Sequence, residues 1–361
     1  MTTSISRRDY SLVGLDSKLA EEHGLASADW YACPIARKRL KELMQRRDGP
    51  AIRDTLIWFA GLAITGSFGC YFWGTWWCVP FFLVYGVLYC SASDSRWHEC
   101  GHRTAFKTTW MNDVVYEMAS FMVLRESVPW RWSHTRHHTD TIIVGRDPEI
   151  AVPRPPDFLG IALNFFSLKS AVYEFREILL HCRGRLTAEE KTYIPESEWS
   201  KVFRVARIWI LIFVSVVICS LAMKSLLPLM LVGLPTLYGA WLLVIFGLTQ
   251  HAGLAEDVLD HRLNCRTVYM NPIFRFVYWN MNYHLEHHMF PMIPYHALPA
   301  LHKEVKADTP PPYHGLYDAY REIIPTLLKQ AKNPYFYVLR QLPPSAKPLG
   351  GAMPTELASG T

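Results

Sequence analysis

The chain has 361 residues, of which 50% are hydrophobic, 14% aromatic and only 19% charged. Its formal net charge is +5, but no basic stripe with interleaved aromatic residues occurs, so the composition argues against nucleic-acid binding. Its eight cysteines form no CxxC pair, which argues against an encoded ferredoxin, rubredoxin or zinc-ribbon module. We expect an all-α membrane protein rather than a pair of soluble domains.

Charged residues are nearly absent from two long stretches. No Asp, Glu, Lys or Arg occurs from Thr55 to Ser93, and only Lys224 occurs from Ile208 to Ala255. Because a helix of about 20 residues crosses a hydrocarbon core about 30 Å thick, each stretch is long enough for two crossings. The sequence therefore predicts four transmembrane helices in two hairpins, at residues 55–73, 78–93, 208–223 and 226–248.

The predicted spans divide the chain into three parts. Residues 1–54 show no signal-peptide pattern, and their amphipathic stretch from Arg37 to Asp48 predicts a helix at the membrane interface. Residues 55–305 are predicted to form the membrane domain, and residues 306–361 a cytosolic tail with a disordered end. Basic residues concentrate before the first span and between the hairpins, so both termini and the middle segment should face the cytoplasm.

Three histidine clusters adjoin the apolar stretches: HECGH at 98–102, HTRHH at 134–138 and HLEHH at 284–288. Spacings of three and four residues place side chains on one face of a helix, and neutral imidazole is a good ligand for iron, zinc and copper. One further histidine follows the fourth predicted span. Nine candidate ligands are too many for one ion but suit two, each with four or five nitrogens. The candidates are His98, His102, His134, His137, His138, His251, His284, His287 and His288.

Carboxylates close to the clusters are candidates for orienting the imidazole N–H groups. For two of them, Asp147 and Glu286, ordinary surface charge is an equally good interpretation. The four candidates are Asp94, Asp140, Asp147 and Glu286. The remaining histidines stand singly, and we interpret them as structural or surface residues: His23, His181, His261, His296, His302 and His314.

The first cluster also matches HExxH, the zinc-protease pattern in which Glu99 would act as general base. An intramembrane zinc protease is therefore a competing hypothesis, although it leaves both HxxHH clusters unexplained. A non-enzymatic metal sensor or transporter is a third hypothesis. Charged residues inside the spans would favour transport, and the predicted spans contain none.

In order and spacing, the clusters resemble the histidine boxes of the membrane fatty acid desaturase superfamily, over about residues 55–305. The resemblance includes the stretches HTRHHTDT and NYHLEHHMFPMIP. It implies four membrane helices under a cytosolic helical cap, with two non-haem iron ions held by the eight box histidines and His251. It also implies O2-dependent introduction of a double bond into a fatty acyl chain of a membrane lipid. Because the sequence has no HPGG-type cytochrome b5 segment, we expect a separate electron donor, a ferredoxin or a cytochrome b5-type protein.

The sequence leaves the substrate class open. The stretch from His134 to Phe158 resembles a bacterial branch of the superfamily that includes dihydrorhizobitoxine desaturase and rhizopine oxygenase. Those enzymes act on small polar metabolites. Desaturation or hydroxylation of a small amino-acid-derived metabolite is therefore the alternative to desaturation of an acyl chain.

Overall fold

The structure is a computed structural model that describes residues 8–26 and 28–347. Within these ranges all regular elements are helical, and extended pairing is limited to two isolated bridges, Thr267–Tyr283 and Val268–Tyr313. The predicted all-α fold is confirmed. The predicted disordered end of the chain falls largely on residues 348–361, which lie outside the described ranges.

The described ranges contain α-helices joined by short loops, three 3-10 turns and one π-helical turn. The helices are α1 Leu15–Glu22, α2 Arg37–Leu43, α3 Asp48–Tyr71, α4 Cys78–Gly86, α5 Ala92–Gly101, α6 Thr109–Val123, α7 Ser127–Thr139, α8 Phe158–Asn164, α9 Leu168–Cys182, α10 Trp199–Met223, α11 Leu227–Leu231, α12 Leu234–Tyr238, α13 Trp241–His251, α14 His261–Asn264, α15 Pro272–Val277, α16 His284–Met289, α17 Leu298–Val305 and α18 Leu316–Lys332. The 3-10 turns are Glu190–Thr192, Glu196–Glu198 and Tyr295–Ala297, and the π-helical turn is Val87–Ser91.

Two of the described helical segments are long and apolar enough to cross a membrane, judged by length and composition. One runs from Cys78 to Gly101 through the π-helical turn, and the other from Glu196 to Met223. The stretch predicted as the fourth span is instead divided into α11, α12 and α13. Gly233 lies there at φ +97° and Pro235 lacks an N–H donor, so a straight helix is interrupted. The four-span arrangement therefore stays a prediction.

A close helix crossing sets the position of α5, which carries the first histidine cluster. In the π-helical turn, Ser91 Oγ donates to the Gly239 carbonyl oxygen at 2.6 Å and accepts from the Leu243 N–H at 2.9 Å. A Cβ atom added to Gly239 would lie 1.9 Å from the Gly86 carbonyl oxygen, so the two backbones are in direct contact. π-Helical turns often occur at functional sites, and this one directly precedes α5.

A buried arginine anchors the other side of α5. Arg96 has no exposed surface, and its guanidinium lies 5.0 Å from the ring centre of Trp58 and 4.9 Å from that of Trp279. It also donates to the Val277 carbonyl oxygen at 3.0 Å. Cation–π contacts and charge-assisted hydrogen bonds together fix a helix face more rigidly than apolar contact alone. The anchored position is two residues before His98.

The terminal segments pack onto the same helical body. The predicted interfacial helix begins at Arg37, as expected, but ends at Leu43, whose side chain is buried in a cluster with Leu298 and Leu301 of α17. Helix α18 buries Ile323 and Leu327 in a further apolar cluster. The first half of the predicted cytosolic tail is therefore part of the folded body.

Candidate metal centre

The nine candidate histidines converge from α5, α7, α13 and α16 into two neighbouring groups. Within each group the potential ligand atoms all lie within 4.8 Å of one another. The five-histidine group contains His98, His102, His134, His138 and His287. The four-histidine group contains His137, His251, His284 and His288. The structure thus brings together all nine residues that the sequence nominated.

Helix geometry explains how adjacent histidines reach different groups. Successive residues of a helix point about 100° apart, so His137 and His138 diverge, as do His287 and His288. In each adjacent pair, one ring joins the five-histidine group and the other joins the four-histidine group. The rings of His138 and His288 stack with centres 4.4 Å apart, so the two groups share a boundary.

The ring nitrogens within each group are spaced like the ligands of one metal ion. The Nε2 atoms of His98 and His287 are 2.8 Å apart, and those of His102 and His134 are 3.1 Å apart. In the four-histidine group, Nε2 of His284 lies 2.8 Å from that of His251. Metal–imidazole bonds of about 2.1 Å at right angles separate neighbouring ligand nitrogens by about 3 Å. The spacing in both groups fits this value.

Hydrogen bonds on the outer side of the rings place the proton on Nδ1, so that Nε2 points into the group with a free lone pair. Nδ1 of His251 donates to the Asn264 carbonyl oxygen at 2.7 Å, and Nδ1 of His137 lies 2.8 Å from Asp147 Oδ2. A neutral ring with its proton on Nδ1 carries an unprotonated Nε2. Several such lone pairs aimed at one point repel each other unless a cation lies between them. The donor set therefore fits a metal ion in each group.

Burial keeps most of these rings in the neutral form that binds metal. Burial and the neighbouring histidines hold the pKa values of His134, His138 and His288 well below the usual range. The pKa of His102 is lowered to about 4, mainly by burial. For His137, burial also acts to lower the pKa, but the charge and hydrogen bond of Asp147 outweigh it and raise the pKa.

The metal-free protein should lose stability on mild acidification. Because the pKa of His102 is about 4 in the folded state and about 6.5 in an unfolded chain, the unfolded state binds more protons between these values. Stability is fully present above pH about 6.5 and falls as the pH approaches about 4. The apparent unfolding temperature of metal-free protein, followed by tryptophan fluorescence, should drop between pH 7 and pH 4.5. An unchanged value across that interval would contradict the lowered pKa values.

One of the four nominated carboxylates contacts a candidate ligand. Asp147 Oδ2 lies 2.8 Å from His137 Nδ1 and also accepts from the Ile142 N–H at 2.7 Å. The other three carboxylates differ from the expectation, because other groups take up their oxygens. Their partners are Arg125 for Asp94, Arg136 and Arg146 for Asp140, and His302 and Thr267 for Glu286.

Sequence reasoning missed three groups that contact candidate ligands: Glu149, the Asn264 carbonyl and Thr141, whose Oγ1 lies 3.2 Å from His288 Nδ1. Glu149 Oε2 lies 2.9 Å from His134 Nδ1, and its other oxygen accepts from Ser133 Oγ at 2.9 Å. Burial raises the pKa of Glu149 to about 7. The available signal was its place two residues after Asp147, in the loop that follows the second cluster. The Asn264 carbonyl that holds His251 gives no signal in the sequence, because any residue supplies a carbonyl.

Neutralising Asp147 should weaken metal binding without removing a ligand. In Asp147→Asn the amide cannot hold the His137 ring through a charged acceptor, and loss of such a partner typically costs about 10- to 100-fold in metal affinity. The measurement is competition for the bound metal with a chelator of known affinity. Asp140→Asn is the matched control, since Asp140 pairs with Arg136 and not with a histidine. Equal losses of metal affinity in the two variants would show that Asp147 has no special role in metal binding.

A cavity of ≈ 390 Å³ opens onto both histidine groups. Its wall includes His98 and His134 of the five-histidine group and His137, His251 and His284 of the four-histidine group. Helix α13 contributes apolar wall residues, and the loop after α7 contributes others. The main apolar wall residues are Leu243, Val244, Leu248, Ile142, Ile150 and Val152. An elongated apolar molecule lying there would reach the space between the two groups.

The fold and its central site define a helical protein with a candidate dinuclear centre ligated by imidazole alone. The family model for fatty acid desaturase matches residues 74–321, which is more than half of the chain and includes all nine histidines. The chain belongs to the fatty acid desaturase family.

Curated relatives include plant and cyanobacterial enzymes. An endoplasmic reticulum omega-6 fatty acid desaturase of Glycine max is 35% identical over 83 residues, which are 23% of this chain and 20% of the relative. A bifunctional fatty acid conjugase/Delta(12)-oleate desaturase of Punica granatum is 37% identical over 70 residues, 19% of this chain and 18% of the relative. The sn-1 oleoyl-lipid 12-desaturase of Synechocystis sp. is 28% identical over 114 residues, 32% of each chain. The chain thus spans a third or less of the relatives it matches.

Proposed function

We propose that this protein is an O2-dependent membrane desaturase that uses two non-haem iron ions to introduce a C=C bond into a fatty acyl chain. The observation that carries the proposal is the division of nine inward-facing histidines into groups of five and four beside a cavity with an apolar wall on α13. Imidazole suits several transition metals, but a dinuclear centre next to an apolar wall fits oxidation of an unactivated C–H bond best. Family membership supports the same reaction.

The residues of this chain have distinct roles in the proposed reaction. When bound, the two irons supply the redox chemistry with O2 that removes two hydrogens from adjacent carbons, and two further electrons come from a partner. Asp147 and Glu149 hold the rings of His137 and His134, so the ligands keep one geometry throughout turnover. The apolar cavity wall on α13 aligns the chain and excludes bulk water from the centre.

The acyl-chain assignment rests on the cavity and on the relatives. Leu243, Val244 and Leu248 provide a continuous apolar surface along α13 that suits methylene groups. The relatives are named as acyl-lipid, oleate or fatty acid desaturases. Membrane lipid is therefore the proposed source of the substrate, and a separate ferredoxin or cytochrome b5-type protein is the proposed electron donor.

A multi-pass membrane location is part of the proposal, with four spans and with the termini and histidine clusters on the cytoplasmic side. Besides the two long apolar helices, α3 exposes Leu56, Ile57, Ile64 and Phe68 along its length. Contiguous exposed apolar surface of this kind is typical of contact with lipid. The broken segment α11–α13 fits a span whose freed backbone groups are satisfied by neighbouring helices.

A polar metabolite is the second candidate substrate, because charged groups also line the cavity. Two ion pairs, Asp94–Arg125 and Arg154–Glu256, contribute to its wall. Such groups could fix the carboxylate and ammonium of an amino-acid-derived molecule through charge-assisted hydrogen bonds. Desaturation or hydroxylation of that molecule would use the same histidines.

Product analysis tests the proposal and separates the two substrates. The full chain is expressed with a ferredoxin and its reductase, and membrane lipids and polar metabolites are compared by mass spectrometry. A new double bond in lipid acyl chains that is lost in His137→Ala but kept in His314→Ala, an exposed histidine outside both groups, is the expected result. A change confined to polar metabolites would replace the acyl substrate by the alternative. Purified protein that contains zinc and no iron after iron-rich growth would overturn the desaturase.

The same structure disfavours the zinc-protease hypothesis. Glu99 is fully buried, and its Oε2 accepts from Thr104 Oγ1 and from the Tyr295 N–H. Its Oε1 lies 3.6 Å from Nδ1 of His287, on the side of that ring away from the other ligands. A general base must reach the water on the metal, and this carboxylate faces away from it.

A further inference from the structure

A second cluster of metal-ligating side chains lies on α9 and the turn that follows it. Glu177 and His181 are four residues apart on one face of α9, and Glu190 begins the 3-10 turn Glu190–Thr192. Their nearest donor atoms all lie within 4.8 Å of one another. None of these residues belongs to either of the two histidine groups. The interpretation of His181 as an isolated structural histidine therefore needs revision.

The histidine of this cluster is held by carboxylates on both sides. His181 Nδ1 lies 2.7 Å from Glu126 Oε2, and His181 Nε2 lies 3.0 Å from Glu190 Oε1. Glu190 Oε2 accepts from both the N–H and the hydroxyl of Thr187, each at 2.9 Å. The imidazole ring of His181 and the carboxylate of Glu190 are thus held in place without a metal ion. Such preorganisation is typical of metal ligands and of the groups that orient them.

Two carboxylate oxygens in the cluster are buried without a hydrogen-bond partner. They are Oε2 of Glu177 and Oε1 of Glu126, on residues that are 8% and 2% exposed. Both residues line a cavity of ≈ 320 Å³ whose lining includes none of the nine histidines. An unpartnered buried carboxylate oxygen is costly, and a bound cation would remove that cost.

The charge balance around this cavity also favours a cation. Four glutamates line it: Glu126, Glu174, Glu177 and Glu190. Among the described lining residues, only Lys169 and His181 can carry positive charge. Lys169 is engaged by Asp157 at 2.7 Å, outside the cluster. Within the cavity lining, carboxylates therefore outnumber the groups that can carry positive charge.

We propose that Glu177, His181 and Glu190 form a binding site for one divalent transition-metal ion of the Mn²⁺ or Zn²⁺ kind. One imidazole nitrogen and two carboxylates are a donor set that both ions accept, with water from the cavity completing the coordination. On binding, His181 releases its Nε2 proton to solvent and keeps its Nδ1 proton, which it donates to Glu126. The single positive charge of the protonated His181 ring is thereby replaced by the two positive charges of the ion.

The position of this site gives it a structural role. Glu126 directly precedes α7, the helix that carries the second histidine cluster, whereas Glu177 and His181 lie on α9. The ion therefore links the start of α7, through the ring of His181, to α9 and the turn after it. The inference goes beyond the proposed desaturation, since Glu177, His181 and Glu190 are not among the nine histidines of the candidate metal centre.

Titration of the iron-loaded full chain with Mn²⁺, read by electron paramagnetic resonance, tests the site. The wild type should bind one Mn²⁺ per chain in addition to its iron, and Glu177→Gln should bind it at least about tenfold more weakly. Glu177→Gln leaves both hydrogen bonds of His181 in place, so a purely structural ion-paired histidine would not respond. Glu196→Gln, an exposed glutamate in the next turn, is the matched control.

Two readouts keep the result decisive. Pulsed spectra of wild-type protein with Mn²⁺ should show coupling to a single imidazole nitrogen, which needs no variant. The iron content of Glu177→Gln should equal that of the wild type, which separates this site from the desaturase centre. Wild-type protein that binds no more Mn²⁺ than Glu177→Gln, or Mn²⁺ that couples to no imidazole, would overturn the proposal and leave an ion-paired imidazolium.

Discussion

Replacing His251 by alanine is expected to lower the iron content from about two ions per chain to about one and to abolish product formation. Among the nine nominated histidines, His251 is the one that comes from α13 and from outside the three clusters. Its removal leaves His137, His284 and His288 in the smaller group, while all five members of the larger group remain. In the proposed reaction, reduction of O2 for C–H cleavage needs both irons, so the loss of one should remove the activity.

The prediction is checked by metal analysis of purified protein together with product formation under the same expression conditions. His314→Ala is the control, because that histidine is exposed and belongs to neither group. In the same measurement on His102→Ala, the four-histidine group should keep its iron and the five-histidine group should lose its iron. If His251→Ala kept two irons and full activity, the four-histidine group would not be a metal site.

The helical class and the shared helix face of the histidines within each cluster could be predicted because both depend on local spacing. Intervals of three and four residues place several rings on one helix face whatever the rest of the chain does. The count of nine histidines predicts two ions with four or five nitrogens each, which stays a prediction. Which ring joins which group could not be predicted, because it depends on how α5, α7 and α16 are rotated about their axes in the fold.

The carboxylates that orient the histidines could not be predicted from local spacing. Nearness to a histidine in sequence nominated Asp94 and Glu286, but Arg125 and His302 lie closer to their oxygens in the folded chain. Glu149 was passed over although it contacts His134. A hydrogen-bond partner is chosen by direction and by competing charges, and both are tertiary properties. Sequence distance therefore predicts ligands better than it predicts the groups that orient them.

The segment after Lys224 shows what hydropathy alone leaves open. The stretch from Leu226 to Leu248 is apolar and predicts a span, in which Pro228 and Pro235 are tolerable where neighbouring helices satisfy the freed carbonyls. Its prolines and Gly233 divide it into three short helices, since proline lacks a donor and glycine adopts φ values that helices do not use. The break allows Gly239 to approach Gly86 directly, which a continuous helix bearing larger side chains would prevent.

Substitution of Gly239 by alanine is expected to have the largest effect on stability among single-methyl changes in this region. The added Cβ would lie 1.9 Å from the Gly86 carbonyl oxygen and 2.2 Å from its carbon, and backbone atoms cannot rotate aside as a side chain can. The two segments must separate, which typically costs about 1–3 kcal/mol or more in a packed core. Separation would also strain the hydrogen bonds that Ser91 makes to Gly239 and Leu243.

The matched control is Gly247→Ala on α13, where an added Cβ meets nothing within 4 Å. Alanine in a helix interior is favoured over glycine by about 0.5–1 kcal/mol, so this variant should unfold at the same or a slightly higher temperature. The measurement is the apparent unfolding temperature in detergent, with bound iron determined on the same samples. Because the Gly86–Gly239 contact sets the depth at which α5 presents His98 and His102, Gly239→Ala should also bind less iron. A variant that unfolded at the wild-type temperature with full iron would show that the crossing tolerates separation and does not position the centre.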